Sequence, residues 1–317
     1  MGMSRGRAVP ARTVLALVAA TLFWAGNYVV GALAVESMSP VAVTYWRWVI
    51  AAVPLLVIAQ VVERPDWGAV WRDWPVHLGL SVSGMIAYTV FLYEALRHTS
   101  AIDASLINAA TPAVIAVCAL LLFRDRIGPR TGLGIVVGLS GVVTVLTGGR
   151  LGAVLGVKVN LGNALMLGAV AVWSLYTLLG RRLSGSPPIA STAVQAGLAV
   201  VLLTPVALWA GVRWPQGTAA SASLVFIGLF PSVGSYLLWN MAVRRVPAGR
   251  AGVFLNLITV FVVVFSLVLG ESLSWAQAGG GALVFSGIAL VTSEPARARA
   301  REKVSDSRAR PSCPTGS

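Results

Sequence analysis

Apolar runs long enough to cross a bilayer as a helix, roughly 18 residues or more, recur along almost the whole chain. Between turn and charge signals they lie near residues 13–34, 40–62, 77–96, 102–123 and 130–146, then near 159–179, 188–210, 220–242, 248–269 and 276–292. The composition agrees, with 57% of 317 residues hydrophobic and 11% charged, against about a quarter charged in a soluble domain. The expected fold class is all-α integral membrane, with ten transmembrane helices.

Charge sets the orientation. With both termini cytoplasmic, 19 of the 24 Lys and Arg fall on the inner side. Arg97, Arg150, Lys158 and Arg213 fall in outer connections, and Arg47 lies within the second span. Basic residues concentrate in every inner loop, as the positive-inside rule requires, which implies a multi-pass protein of a bacterial-type inner membrane. They form no single basic face, so nucleic acid is not an expected partner. The partners expected are the bilayer and a small-molecule substrate, and both a monomer and a homodimer stay open. Arg5, Arg7 and Arg12 before an apolar run, with Ala32-Leu33-Ala34, resemble a secretory signal. That run is long and has a mid-chain counterpart, so it reads as a retained span. Cys118 and Cys313 imply no disulfide framework, and Cys118 reads as a small buried residue.

The counterpart belongs to a repeat. At a shift of 149 residues Trp24 falls on Trp173 and Gly31 on Gly180, and at 151 Pro54 falls on Pro205. Gly84 meets Pro231 at 147, while Asp125 meets Glu271 and Ser140-Gly141 meets Ser286-Gly287 at 146. The organisation expected is a cytoplasmic tail over 1–12, a five-helix repeat over 13–146, a linker over 147–158, a second five-helix repeat over 159–292 and a basic cytoplasmic tail over 293–317. An odd number of spans per half inverts the second half relative to the first. Inverted repeats are an architecture of secondary transporters, with the substrate near mid-membrane and alternating access between pseudo-symmetric states. The fifth and tenth runs are glycine-rich and should pack tightly on their neighbours.

Particular stretches carry a family resemblance. Ala95-Leu96-Arg97-His98-Thr99-Ser100-Ala101, residues 104–112 and Phe123-Arg124-Asp125-Arg126-Ile127 lie in the first half. Leu269-Gly270-Glu271-Ser272-Leu273, Gln277, Gly280 and residues 286–290 lie in the second. Together they resemble the drug/metabolite transporter superfamily and its EamA domain, which typically occurs twice per chain. Asp125 and Arg126 depart from the usual pattern of Glu and a small residue. The resemblance implies export of amino acids, aromatic ones included, and of related metabolites.

Polar and aromatic residues at helical spacing mark a candidate cavity. Trp24, Asn27, Tyr28 and Gly31 share one side of the first span, and Trp173, Tyr176, Thr177 and Gly180 repeat it in the sixth. Ser105, Asn108 and Thr111 stripe the fourth span, and Asn256 and Thr259 answer in the ninth. Tyr88 in the third and Ser235, Tyr236 and Trp239 in the eighth complete the set. In hydrocarbon these groups need partners, so their faces should point into the bundle. Gly84, Pro112 and Pro231 loosen helices and are hinge candidates. Arg47 either snorkels to the outer surface or pairs with Glu94 or Asp103 as a gate or carboxylate-binding group.

No acidic residue sits at mid-depth of any span, which favours gradient-driven facilitation over proton coupling. A proton-coupled exporter of drugs or lipophilic cations is the rival reading. An integral membrane enzyme is the remote one, because His77 and His98 fall at opposite faces and no Cys/His cluster has metal-ligand spacing. No cofactor is expected.

Overall fold

The computed structural model describes residues 11–115, 117, 129–150, 160–183, 185–243 and 254–292, and every regular element among them is helical. Cys118, Asp125, Arg126, residues 1–10 and the tail after 292 lie outside the described residues. Among the described residues six helices are long and apolar enough to cross a membrane, at Ala11–Ser37, Pro40–Glu63, Trp74–Leu96, Leu161–Gly180, Pro188–Trp209 and Thr218–Trp239. Shorter apolar helices occupy Ala101–Ile115, Gly132–Leu146, Leu257–Val268 and Trp275–Leu290.

In chain order the α-helical elements are α1 (Ala11–Ser37), α2 (Pro40–Ile58), α3 (Trp67–Arg72), α4 (Trp74–Leu80), α5 (Tyr88–Leu96), α6 (Ala101–Ala109), α7 (Pro129–Leu146), α8 (Leu161–Gly180), α9 (Pro188–Trp209), α10 (Thr218–Leu229), α11 (Ser235–Val243), α12 (Leu257–Val268) and α13 (Trp275–Thr292). Their starts follow from capping chemistry. Ser39 Oγ accepts from the Ala42 N–H at 3.2 Å with Pro40 in the first helical position, and Ser100 Oγ accepts from the Asp103 N–H at 3.0 Å. Ser274 and Gln277 cap α13 reciprocally, Gln277 N–H to Ser274 Oγ at 3.2 Å and Ser274 N–H to Gln277 Oε1 at 2.8 Å. Glu63, past the end of α2, accepts from the Ile189 and Ala190 N–H groups at 3.1 and 2.8 Å, placing a carboxylate at the positive end of α9.

Four helical stretches are interrupted at corresponding places. Between α4 and α5 the backbone winds as a π-helix over Ser81–Ala87, and between α10 and α11 it does so over Phe230–Gly234. The first contains Gly84 and the second Pro231, the pair matched at a shift of 147 residues. The chain turns at Ala110 after α6, before helix resumes over 111–115, and it turns again at Asn256 before α12. Ala110 and Asn256 stand 146 residues apart, the shift that matches Asp125 to Glu271. Pro112 has no N–H for the Asn108 carbonyl, which instead accepts from the Thr111 hydroxyl and the Ala110 N–H.

Packing pairs elements across the two halves. α2 lies along α9, α5 along α8, α1 along α11 and α12, α6 against α8 and α12, and α7 along α13. The last pair meets backbone to backbone. A Cβ at Gly141 would stand 2.5 Å from the Gly280 carbonyl oxygen, and one at Gly287 2.5 Å from that of Gly134. Only residues without a side chain permit that approach, and between apolar helices in lipid it maximises dispersion contact. Outward faces carry Val53, Val57, Val136 and Val201, while Trp209 and Trp275 stand 90% and 94% exposed at helix ends. That distribution suits hydrocarbon around the middle and an aromatic belt near the headgroups.

Candidate functional site

A cavity of about 290 Å³ opens where the interrupted helices meet. Asn108, Ala109, Thr111 and Pro112 line it from one broken helix and Leu255, Asn256, Ile258 and Thr259 from the other. Broken helices expose carbonyls that a continuous helix would consume, and membrane proteins tolerate this only where the backbone faces protein or a polar cavity. A larger space of about 860 Å³ adjoins it, bounded by Glu63, Leu183, Gly185, Pro187 and Gln195. The two share the walls Trp24, Trp173, Thr177, Tyr236 and Trp239.

The shared walls are aromatic. Trp24 meets Tyr236 edge to face at 5.8 Å between ring centres and Trp239 at 5.6 Å. Across the cavity Trp173 packs on Tyr88 at 4.7 Å and stacks on Tyr176 at 4.9 Å. Such contacts hold the rings as rigid surfaces that offer apolar area and a few polar edges. The Tyr28 and Tyr88 hydroxyls lie 3.3 Å apart. The Tyr176 ring lies so close over the Gly84 backbone that a Cβ there would fall within it, which explains why glycine occupies this point of the π segment.

Among the described residues one charged side chain, that of Arg47, reaches the wall of the smaller cavity. Arg47 is 4% exposed, its Nε donating to Ser232 Oγ at 2.7 Å and its Nη1 to Tyr93 Oη at 2.9 Å and Asn27 Oδ1 at 3.2 Å. Tyr93 Oη donates to Asn27 Oδ1 at 2.8 Å, closing a ring of neutral partners, and the guanidinium carbon stands 4.9 Å from the centre of the Trp48 ring. The Trp48 indole N–H donates to the Met85 carbonyl at 2.8 Å, inside the other π segment. Among the described residues no carboxylate pairs with Arg47. Burying a charge with neutral hydrogen bonds and a ring face is costly, so the charge persists only because several dipoles are aimed at it.

This arrangement corrects the expected location and partners of Arg47. It neither snorkels outward nor meets Glu94 or Asp103. Tyr93, one residue before Glu94 on α5, faces the bundle, and the helix turn carries Glu94 outward to Arg97 at 3.1 Å and His98 at 3.2 Å. Asp103 accepts from Gln277 Nε2 at 2.8 Å, tying the first turn of α6 to that of α13.

Of the residues read from the sequence as cavity-lining, Trp24, Asn27, Tyr28, Tyr88, Asn108, Trp173, Thr177, Tyr236, Trp239 and Asn256 surround the smaller cavity. Tyr176 faces the larger space and donates to Gln195 Oε1 at 3.3 Å. Ser235 turns away and donates to the Ala20 carbonyl at 2.8 Å, joining α11 to α1. Of the hinge candidates, Gly84 and Pro112 touch the cavity, whereas Pro231 sits behind it in its π segment. Sequence reasoning passed over Trp48, Thr89 and Tyr93. Trp46-Arg47-Trp48 was the available signal, a charge inside a span flanked by indoles. Among the described residues no group of three or more His, Cys, Asp or Glu could hold a metal ion.

A model of the EamA-like transporter family matches residues 11–147 and again 160–293, which together make up most of the chain. The chain belongs to the EamA-like transporter family. This EamA protein is therefore a multi-pass membrane transporter with two EamA-like segments. Its relatives include an uncharacterized transporter, YyaM, of Bacillus subtilis, 24% identical over 86% of this chain and 90% of that one. A probable terminal-alkyne amino-acid exporter of Streptantibioticus cattleyicolor is 28% identical over 88% of this chain and 93% of its own. The aromatic amino acid exporter YddG of Ancylobacter novellus is 27% identical over 70% and 77%. A solved crystal structure superposes with a TM-score of 0.62 at 22% identity, covering 90% of this chain and 98% of the other, a likeness of fold.

Proposed function

We propose that this EamA transporter exports amino acids, hydrophobic and aromatic ones included, and related small metabolites by alternating access through the central cavity. The observation that carries the reading is the cavity itself: among the described lining, seven aromatic side chains, three asparagine amides and one guanidinium surround a space of about 290 Å³. That volume, near the lower end for small-ligand pockets, suits a compact solute with a flat apolar body. Two relatives named as amino-acid exporters support the class.

The architecture proposed is ten transmembrane helices in two inverted five-helix repeats over 13–146 and 159–292, in an inner membrane with both termini cytoplasmic. The packing supports it, because exchanging helices with their counterparts in the other half turns the main contacts of α1 across the halves into those of α8: α1 with α11 becomes α8 with α5, and α1 with α12 becomes α8 with α6. The larger space is lined by Val62, Glu63 and Leu183, beside Arg64 and Arg182 on the proposed cytoplasmic side, so this state faces inward. The π segments at Gly84 and Pro231 and the breaks at Ala110 and Asn256 are where the helices flex between states.

Arg47 in the wall disfavours a lipophilic cation, because it repels positive charge and the described lining holds no carboxylate to offset it. The same absence favours facilitation over proton exchange. Entry of labelled amino acids into liposomes containing the purified protein, with and without a pH gradient and against protein-free liposomes, tests the reading. Saturable entry without the gradient is expected; no entry of any amino acid under either condition would overturn it.

A further inference from the structure

Arg47 stands in the cavity wall with its positive charge uncompensated. Its Nε and Nη1 are committed to Ser232, Tyr93 and Asn27, and the third guanidinium nitrogen, Nη2, takes part in none of these bonds. The partners are neutral, and no salt bridge among the described residues involves Arg47. A guanidinium so held is pre-organised, since its orientation is fixed before any ligand arrives, and an arriving carboxylate gains a charge-assisted bond at little further ordering cost.

The cavity treats an ammonium group differently. Its nearest strong acceptor to Arg47, Asn27 Oδ1, already receives hydrogen bonds from both Tyr93 and Arg47, which fills both lone pairs. The remaining polar lining, side-chain amides, hydroxyls and the carbonyls of the broken helices, carries no formal negative charge among the described residues, and the field of Arg47 opposes a second cation in a space this small. We infer that Arg47 is a carboxylate-binding and specificity-determining residue, and that the preferred ligands are hydrophobic monocarboxylates without an ammonium group, arylalkanoates and 2-oxo acids, over the corresponding free amino acids. The inference rests on the cavity reading above and narrows its substrate class. The carboxylate takes the guanidinium, and the aromatic body lies between Trp24 and Trp173.

The test is binding of four ligands to the purified full-length protein, read by intrinsic tryptophan fluorescence and by calorimetry: 3-phenylpropionate, phenylalanine, 3-phenylpropanamide and phenethylamine. These share a phenyl body and differ in the head group. Wild type should bind the acid at least about tenfold more tightly than the amide, more tightly than phenylalanine, and should not bind the amine. Arg47→Gln should bring the acid-to-amide ratio close to one, while Arg47→Lys should keep part of the preference. A structural role for Arg47 would weaken all ligands alike and leave that ratio unmoved. The wild-type ratio alone decides the matter where Arg47→Gln does not fold. Equal binding of acid and amide, or phenylalanine bound as tightly as 3-phenylpropionate, overturns the inference. If phenylalanine binds and enters liposomes while the acid does not bind, the inference falls and the amino-acid reading stands. If no ligand binds and no amino acid enters, both fall.

Discussion

Arg47 and Trp48, neighbours on α2, each hold a π-helical segment of a different half, Phe230–Gly234 and Ser81–Ala87: Arg47 Nε donates to Ser232 Oγ at 2.7 Å and Trp48 Nε1 to the Met85 carbonyl at 2.8 Å. A π turn frees a carbonyl that the next α turn would have used, and both segments meet that need with a side chain. Ser232 Oγ donates to the Ile227 carbonyl five residues back at 2.7 Å while accepting from Arg47. One turn of α2 therefore registers backbone distortions in both halves of the protein.

Removing the Ser232 hydroxyl should loosen its segment. Ser232→Ala loses the Arg47 bond and the cap on Ile227, at a cost of about 0.6 kcal/mol, the average for hydrogen bonds between membrane helices, and up to about 1.7 kcal/mol at the strongest. The check is the unfolding midpoint in detergent alongside the uptake rate. An unshifted midpoint would show that the bond adds nothing to stability.

Gly84→Ala should be the most damaging methyl in the third apolar helix. Its Cβ would overlap the Tyr176 ring, and overpacking of this kind costs about 1–3 kcal/mol. Combining it with Tyr176→Leu should recover part of the lost stability, a non-additivity that thermal unfolding of the three variants would detect. Strictly additive losses would mean that ring and glycine do not meet.

Two glycines in long helices should respond with opposite sign. A Cβ at Gly141 meets the Gly280 carbonyl oxygen at 2.5 Å, whereas nothing lies within 4 Å of one at Gly197. Gly141→Ala should destabilise, and Gly197→Ala should be neutral or stabilise by up to about 1 kcal/mol through helix propensity. Parallel denaturation of the two proteins compares them directly.

Glu94 should be dispensable. It bridges Arg97 and His98 at the surface, where an exposed ion pair contributes about 0–1 kcal/mol. Glu94→Gln should leave uptake within about twofold of wild type and its response to a pH gradient unaltered. Loss of a gradient response in that variant would restore Glu94 as a proton-coupling group.

The paired replacement Trp24→Ala with Trp173→Ala should abolish transport, since it strips facing walls from the cavity. Size-exclusion behaviour would report folding, and uptake would report function. A well-folded double variant that transports normally would remove both rings from the substrate path.

The apolar runs were legible because lipid imposes a length and a composition that polar loops cannot imitate, so the helices at 40–63 and 188–209 lie almost where hydropathy alone puts them. The cavity faces were legible because Trp24, Asn27 and Tyr28 are polar or aromatic where hydrocarbon would reject them. Arg47 was legible as an anomaly but not in its partners. Its bonds go to α1, α5 and a π segment 185 residues further on, and no local pattern encodes which neutral oxygens a folded chain will bring to a charge. Tyr93 was hidden by its neighbour, since a residue beside an outward-facing Glu94 gives no sign of facing the bundle. The π segments were hidden too: Gly84 and Pro231 marked weak points, but extra-residue turns arise from tertiary partners such as Trp48 and Ser232.

The contact between α7 and α13 limits how this protein can move. With Gly134, Gly138 and Gly141 seated against Gly280 and Gly287, the helix axes are as near as backbone allows. Rotating either helix by a quarter turn would drive Leu139 or Leu283, which now point outward, into the seam. This pair can neither roll nor slide without first separating, so the alternation proposed above would pivot about it as a fulcrum, with the swings taken by the helices around it.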